Sequence, residues 1–156
     1  MINIQLFDKK ENNQFSDKII SQVAFIESQV QPNNFWIEKV ISDLLKLDYN
    51  YLLLACFNGE IVGYCLYQVM FETAEILRIG TLPQQQRQGI GTKLLNFLVQ
   101  ELQQNHLETN SLLLEVRADN LPAINLYQKQ GFQQIDCRKN YYQDVDGLIM
   151  RKLLKN

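Results

Sequence analysis

Leu77-Arg78-Ile79-Gly80-Thr81-Leu82-Pro83-Gln84-Gln85-Gln86-Arg87-Gln88-Gly89-Ile90-Gly91-Thr92 changes character twice. As far as Thr81 it closes a β-type run that begins at Glu75, and Leu82-Pro83 ends that run. From Gly89 to Leu102, residues Ile90, Leu94, Leu95, Leu98, Val99 and Leu102 then trace one apolar face, which predicts a helix. A helix start leaves backbone N–H groups without intrahelical acceptors, glycines let a ligand approach the backbone closely, and Arg87 stands alongside. Gln86 to Thr92 is therefore the predicted anion site, of the kind that holds a phosphate. A Rossmann fingerprint would need a small residue where Leu94 stands, and a Walker loop would need Gly-Lys-Ser/Thr where this chain has Gly91-Thr92-Lys93, so both nucleotide motifs fail on spacing. On these residues alone, close packing at Gly89 and Gly91 beside a solvated Gln/Arg loop is the competing explanation.

The flanking sequence supplies the rest of a single domain, residues 1–156. Ile2 to Leu6 alternates as a short strand, and Phe15 to Ser28 places apolar residues at 15, 19, 20, 23 and 26 on one helix face. Pro32-Asn33-Asn34 breaks the chain, after which Phe35, Val40, Ile41, Leu44 and Leu45 resume helical spacing. Tyr51 to Phe57, Asn58-Gly59 and Ile61 to Phe71 read as an antiparallel hairpin. Beyond the central helix, Ser111 to Val116 is a strand. Asp119-Asn120 and Pro122 open a helix carrying Leu121, Ile124, Leu126 and Tyr127, and Gly131 closes it. Phe132 to Cys137 and Val145 to Leu153 are two last strands joined by a polar, tyrosine-bearing turn. The order β-α-α-β-β-β-α-β-α-β-β predicts a mixed α/β sheet with helices on both faces.

Composition bounds the function. A chain of 156 residues, 46% hydrophobic, buries enough surface to need neither disulfide nor metal, which excludes collagen, disordered and disulfide-scaffold classes. Fifteen Lys+Arg against 17 Asp+Glu supply no positive field for a nonspecific hold on nucleic acid. No apolar run reaches the ~20 residues of a membrane helix. Met1-Ile2-Asn3-Ile4 also lacks the layout of a secretory signal, so a soluble, cytoplasmic protein is expected. Cys56, Cys65 and Cys137 form no C-x-x-C pair and read as structural thiols, and His106 reads as a helix C-terminal residue. Neither a His-paired nucleophile nor a metal centre is expected.

Gln86-Arg87-Gln88-Gly89-Ile90-Gly91 matches the Q/R-x-x-G-x-G/A acetyl-CoA motif of GNAT acetyltransferases, and Asn120 to Phe132 matches their N-x-x-A-x-x-L-Y-x-x-x-G-F block. The chain resembles that superfamily. Within it, Leu114-Glu115-Val116-Arg117, the Ala-x-Asn at 118 to 120, Leu126-Tyr127 and Arg138-Lys139-Asn140-Tyr141-Tyr142 resemble the RimI-type ribosomal-protein alanine N-acetyltransferases. The likeness covers roughly residues 60 to 152. It departs at Phe35-Trp36-Ile37, where Pro-Trp-Ser is usual, and near Val145-Asp146-Gly147-Leu148, where the usual Asp-Ala pair is missing.

The resemblance implies the GNAT fold, acetyl-CoA as co-substrate without a metal, and a protein working as a monomer or weak dimer. The acceptor it implies is the N-terminal alanine of small ribosomal subunit protein 18 or a similar protein N-terminus, with no direct nucleic acid or membrane partner. A small amine such as a polyamine or aminoglycoside, or a lysine, is the alternative acceptor, and Glu72, Glu75, Asp144 and Asp146 could supply an acidic pocket for it. A non-catalytic acyl-CoA sensor or adaptor is the alternative of another class.

A peptide α-amine, with a pKa of about 7.7 to 8.0, must lose a proton before it attacks a thioester. Glu115 ends a strand beside the proposed cleft, and Leu112, Leu113, Leu114 and Val116 would form an apolar setting that disfavours its charge, which suits a base. A salt bridge to Arg117 or to a neighbouring strand is the other explanation for Glu115. The departing CoA thiolate, parent pKa about 8.5, leaves more easily if protonated, and by resemblance Tyr127 is the donor; otherwise it is a core ring. By resemblance, too, Asn120 bonds the pantetheine or caps its helix, and the backbones of Ile79 and Thr81 contact the pantetheine arm and acetyl group. Trp36, Tyr141 and Tyr142, the tyrosines with Arg138 and Lys139, are the candidate acceptor-binding residues; the other reading of the tyrosine cluster is a solvated hairpin with buried rings. Bulk at Gly89 or Gly91 is expected to block the pyrophosphate while leaving folding largely intact.

Overall fold

A computed structural model describes residues 1–10, 14–31 and 33–154; the Phe15 side chain and Pro32, both read above, lie outside the described residues. The described elements are β1 (Asn3–Leu6), α1 (Gln14–Val30), α2 (Glu38–Leu45), β2 (Asn50–Phe57), β3 (Glu60–Met70), β4 (Thr73–Thr81), a 3-10 turn (Pro83–Gln85), α3 (Ile90–Asn105), β5 (Ser111–Arg117), α4 (Leu121–Lys129), β6 (Gln133–Tyr142) and β7 (Val145–Leu153). Strands and helices follow in the predicted order. Asn58 and Gly59 take φ of 52° and 80°, the two positive angles that a tight two-residue hairpin requires between β2 and β3.

One boundary differs. The sequence predicts a long tyrosine-bearing turn after Cys137, but β6 continues to Tyr142, and its pairing with β7 resumes at Tyr142 and Val145. Irregularities between Gln134 and Asp136 and between Arg138 and Tyr142 interrupt the alternation that would have marked the strand.

The strands form one sheet in the order β1-β2-β3-β4-β5-β7-β6, antiparallel throughout except for β4 and β5. That parallel pair is joined only at its start, Thr73 with Ser111, Ala74 with Leu112 and Glu75 with Leu113. Beyond those residues β4 stays bonded to β3 as far as Thr81, and β5 to β7 as far as Arg117. The two central strands therefore part, and a cleft opens through the middle of the sheet.

Each face of the sheet carries its own core. Leu94, Leu95, Leu98 and Leu102 of α3 and Ile124 and Tyr127 of α4 pack on Ala74, Ile76, Leu112, Leu114 and Val116. Val23 and Ile26 of α1 and Ile41 and Leu45 of α2 pack on Leu52, Leu54, Tyr64 and Leu66 on the other face. A bulge in β4 bears on the site: Tyr67 pairs with Ile76 but Leu66 pairs with Arg78, leaving Leu77 as an extra residue. Strict alternation from Ile76 would drive the Arg78 side chain into the α3/α4 core, whereas the bulge turns it toward α1 and α2. No helix of the described residues is long and apolar enough to cross a membrane.

Candidate active site

The turn that leads from β4 into α3 carries two left-handed residues, Arg87 at φ 67° and Gly89 at φ 80°. Gly89 is the N-cap of α3 and offers no side-chain cap, so the first helical N–H groups are left for another acceptor; the N–H of Lys93 is the one that returns to Gly89 O, at 3.0 Å. The two glycines have different duties. A Cβ on Gly89 would touch nothing within 4 Å, so that position is open to a ligand, but a Cβ on Gly91 would lie 3.1 Å from Leu126 Cδ2. Gly91 thus lets α3 and α4 approach each other. Substitution at either position carries a folding cost, from backbone strain at Gly89 and from crowding at Gly91, contrary to the expectation of intact folding.

Other candidate residues sort by which atoms they expose. Gln86 Nε2 donates to Thr81 O at 3.2 Å and ties the loop to the end of β4. Arg87 and Gln88 are exposed, and Thr92 is half-buried in the first turn of α3. Ile90 is only 2% exposed and its side chain belongs to the core, so its backbone N–H is the group it can present. Ile79 and Thr81 lie on the stretch of β4 that has left β5, paired with Cys65 and Gly63 of β3. Asn120 caps α4, its side chain accepting from Ala123 N at 3.3 Å.

Across the cleft, Glu115 of β5 does not sit in the apolar setting expected from its neighbours. Leu112, Leu114 and Val116 point to the α3/α4 core, and the two-residue period of a strand sends Glu115 to the opposite face. There the Glu115 Oε2 atom is buried, with no hydrogen-bond partner among the described residues. Arg138 Nε approaches it at 3.8 Å, beyond hydrogen-bond reach, while Arg117 pairs with Asp119 at 3.0 Å instead. Room for the carboxylate comes from Gly147 of β7, where a Cβ would fall 2.5 Å from Glu115 Oε2 and 3.2 Å from Tyr142 Cε2. Burial first, then the Glu115 charge, raises the Glu75 carboxyl, and the same two causes in the same order raise the Tyr142 phenol. Glu75, Arg138 and Tyr142 therefore gather around Glu115, with Gly147 making the room. Of the four acids considered for a small-amine pocket, Glu75 is the one the fold brings to Glu115; Asp146 accepts from Asn140 N at 2.9 Å, and Glu72 and Asp144 sit in hairpin turns.

Tyr127 approaches from the other face. It is 7% exposed and edge-on to Phe132, with ring centroids 5.7 Å apart. Its hydroxyl has no hydrogen-bond partner among the described residues. Burial foremost, then the Cys65 thiol and the Tyr142 phenol, push its pKa well above the usual phenol range, so it keeps its proton at neutral pH. Tyr142 thus lies beside Glu115 at Gly147 and also acts on the Tyr127 phenol. Tyr141, 51% exposed, stacks edge-on against Tyr142 at 5.0 Å and lies under Arg138.

Trp36 is half-buried in the connection between α1 and α2, away from the tyrosines in sequence but held by residues that composition alone did not single out. Glu27 of α1 is fully buried; it accepts hydrogen bonds from Trp36 N, at 2.8 Å, and from the Tyr64 hydroxyl. Arg78 Nε stands 3.9 Å from Glu27 Oε2, the guanidinium lies 4.3 Å from the Trp36 ring centroid, and its NH2 donates to Asn34 O at 2.9 Å. A signal for Glu27 does exist in the sequence, because it falls between Val23, Ile26 and Val30 on the buried stripe of its helix. Gly147 left no comparable mark, since its role depends on which face of β7 meets Glu115. Among the described residues no group of three or more His, Cys, Asp or Glu could hold a metal ion.

Comparison with known proteins identifies the family and the fold. The profile of the acetyltransferase (GNAT) family matches residues 20–132. The chain is 32% identical over 133 residues to the putative ribosomal protein bS18-alanine N-acetyltransferase of Bacillus subtilis, covering 84% of this chain and 87% of that protein. It is 41% identical over 90 residues to the ribosomal protein bS18-alanine N-acetyltransferase of Escherichia coli K12, a segment spanning 58% of this chain and 60% of that relative's length. The crystal structure of the ribosomal-protein-S18-alanine N-acetyltransferase from Escherichia coli superimposes with a TM-score of 0.85 at 28% identity, covering 100% of this chain and 96% of that one.

Proposed function

Since the chain belongs to the acetyltransferase (GNAT) family, we propose that it moves an acetyl group from acetyl-CoA to the α-amine of a protein N-terminus, an alanine such as that of ribosomal protein bS18. Acyl transfer is the chemistry of the family; the acceptor is our reading, supported by the named relatives. The observation that carries it is the pair of groups bordering the parted strands. The Glu115 Oε2 atom is buried on one side without a hydrogen-bond partner among the described residues, its nearest cation Arg138 at 3.8 Å, and Tyr127 holds its proton on the other.

Acetyl-CoA supplies the activated acyl group as a thioester. The cradle fits such a ligand: exposed Gly89, the free N–H groups opening α3 and Arg87 suit a pyrophosphate, and the unpaired side of β4 offers backbone groups at Ile79 and Thr81 for an amide-bearing arm. Glu115 takes a proton from the incoming ammonium, for which its lone pairs are uncommitted. Tyr127 gives its proton to the sulfur as the C–S bond breaks, and burial keeps that proton in place until then. Attack by the freed amine forms the N–C bond and leaves a second proton on the nitrogen; that proton, lost as the tetrahedral adduct collapses, restores the Tyr127 phenol, while Glu115 returns its own proton to solvent.

The test is thiol release from acetyl-CoA with a panel of Ala-initiated peptides, lysine peptides and small amines. A preference for Ala-initiated peptides is expected. A preference for polyamines would move the acceptor assignment to the small-amine alternative, for which the second carboxyl group near Glu115, that of Glu75, is the favouring observation.

A further inference from the structure

A carboxylate buried in a protein is costly unless it is hydrogen-bonded and its charge is met. Glu27 satisfies both conditions with groups from three separate places: the Trp36 N–H of the α1–α2 connection, the Tyr64 hydroxyl of β3, and the Arg78 guanidinium of β4. Arg78 then reaches back to the same connection, donating to Asn34 O and lying over the Trp36 ring, 4.3 Å from its centroid. Arg78 lies on the stretch of β4 that has left β5 and on the α1/α2 face of the sheet, the face to which Glu115 turns with the Tyr142 ring beside it at Gly147, so it borders the cleft between the α1–α2 connection and the β6–β7 hairpin. Only the bulge at Leu77 aims Arg78 this way.

We infer that Glu27 and Arg78 are positioning residues that clamp Trp36 as one wall of the acceptor groove facing Tyr142, and so govern how tightly the acceptor binds without taking part in proton transfer. This rests on the peptide-acceptor reading above. Neither residue touches Glu115 or Tyr127 in any hydrogen bond or ion pair of the described residues. Their loss should therefore weaken acceptor binding and leave acetyl-CoA binding and the chemical step in place.

Trp36 is the single tryptophan of the chain, so its emission reports the wall directly. In the wild-type protein with CoA bound, titration with an Ala-initiated peptide should change Trp36 emission with the same midpoint that calorimetry gives for peptide binding. Arg78→Met should red-shift the resting emission, raise the peptide KM about tenfold or more and leave kcat and CoA affinity within about twofold. Arg78→Lys, which keeps the charge but not the flat stacking surface, should recover part of the lost affinity. Glu27→Gln should resemble Arg78→Met; since its burial endangers folding, the Arg78 variants decide the outcome. Asp43→Asn, on the outer face of α2 and paired with Lys39 and Lys46, is the neutral control. A peptide that binds and is acetylated without moving Trp36 emission would overturn the inference, as would a folded Arg78→Met protein that loses kcat or CoA affinity along with KM. If the wild-type protein acetylates no peptide, the acceptor reading fails instead, and the resting emission of Arg78→Met still decides whether the guanidinium holds Trp36.

Discussion

Tyr127→Phe separates catalysis from packing, because the surroundings of the hydroxyl fix the stability cost in advance. The ring is 7% exposed and its contact with Phe132, edge-on at 5.7 Å, survives the substitution. Among the described residues the hydroxyl makes no hydrogen bond, so the ~1 kcal/mol of a typical hydrogen bond is not lost. The stability change should then stay within about 0.5 kcal/mol, or roughly 2 °C in Tm for a domain of this size. If the hydroxyl protonates the departing sulfur, kcat and kcat/KM should fall together by about 10²-fold, equivalent to about 2.7 kcal/mol of transition-state stabilisation. CoA affinity by calorimetry should be unchanged, and the deficit should narrow with an acyl donor whose thiol is more acidic. The pH dependence has a definite sign. Tyr127 is raised above its ordinary value of 10.0, so the wild-type kcat should show no alkaline fall from this group below about pH 10. Its contribution to stability is complete below pH 10 and declines as pH rises through the raised value, so the wild-type protein should lose ground to Tyr127→Phe only at strongly alkaline pH. Near-wild-type turnover in a folded Tyr127→Phe protein would return the ring to the core and refute its assignment as the acid.

Three further outcomes follow from the same geometry. Glu115→Gln keeps the shape but cannot accept a proton, so turnover should drop about 10²-fold near neutral pH and recover as the acceptor amine deprotonates unaided; a deficit independent of pH in the rate profile would assign Glu115 to positioning. Gly147→Val would place side-chain atoms where Glu115 Oε2 lies, 2.5 Å from an added Cβ, so the carboxylate must shift by about 1 Å and kcat/KM should fall by up to about 10²-fold with CoA affinity intact. Unchanged kcat/KM in that variant would show that the carboxylate position does not matter to the reaction. Gly89→Ala adds a Cβ that meets no protein atom but sits at φ 80°, so it should cost about 1–2 kcal/mol in denaturant unfolding and weaken CoA binding; unaltered CoA affinity would remove the loop from the cofactor site.

Periodicity in the sequence was enough for the elements and their order. Apolar spacing from Ile90 to Leu102, the alternation of Ile2 to Leu6 and the Asn58-Gly59 turn are local signals, because helix and hairpin geometry is set by neighbours along the chain. The turn into α3 was legible for the same reason: a helix start and two glycines all fall within Gln86 to Thr92. Glu115 and Tyr127 could be singled out through resemblance, but their surroundings could not. The expected apolar setting of Glu115 failed because strand neighbours in sequence face opposite ways in space.

What the tertiary structure decided is everything that depends on pairing between distant segments. The parting of β4 from β5 after Glu75 and Leu113 makes the cleft, yet no residue in either strand announces it. The Leu77 bulge, defined only against β3, determines that Arg78 meets Trp36 and Glu27 rather than the α3/α4 core. Gly147 reads as an ordinary glycine until β7 is set beside β5 and the Glu115 carboxylate occupies the space a side chain would fill. Local rules fix which way the backbone turns, but register across a sheet fixes which side chains share a face, and the shared face is where the groups around Glu115 converge.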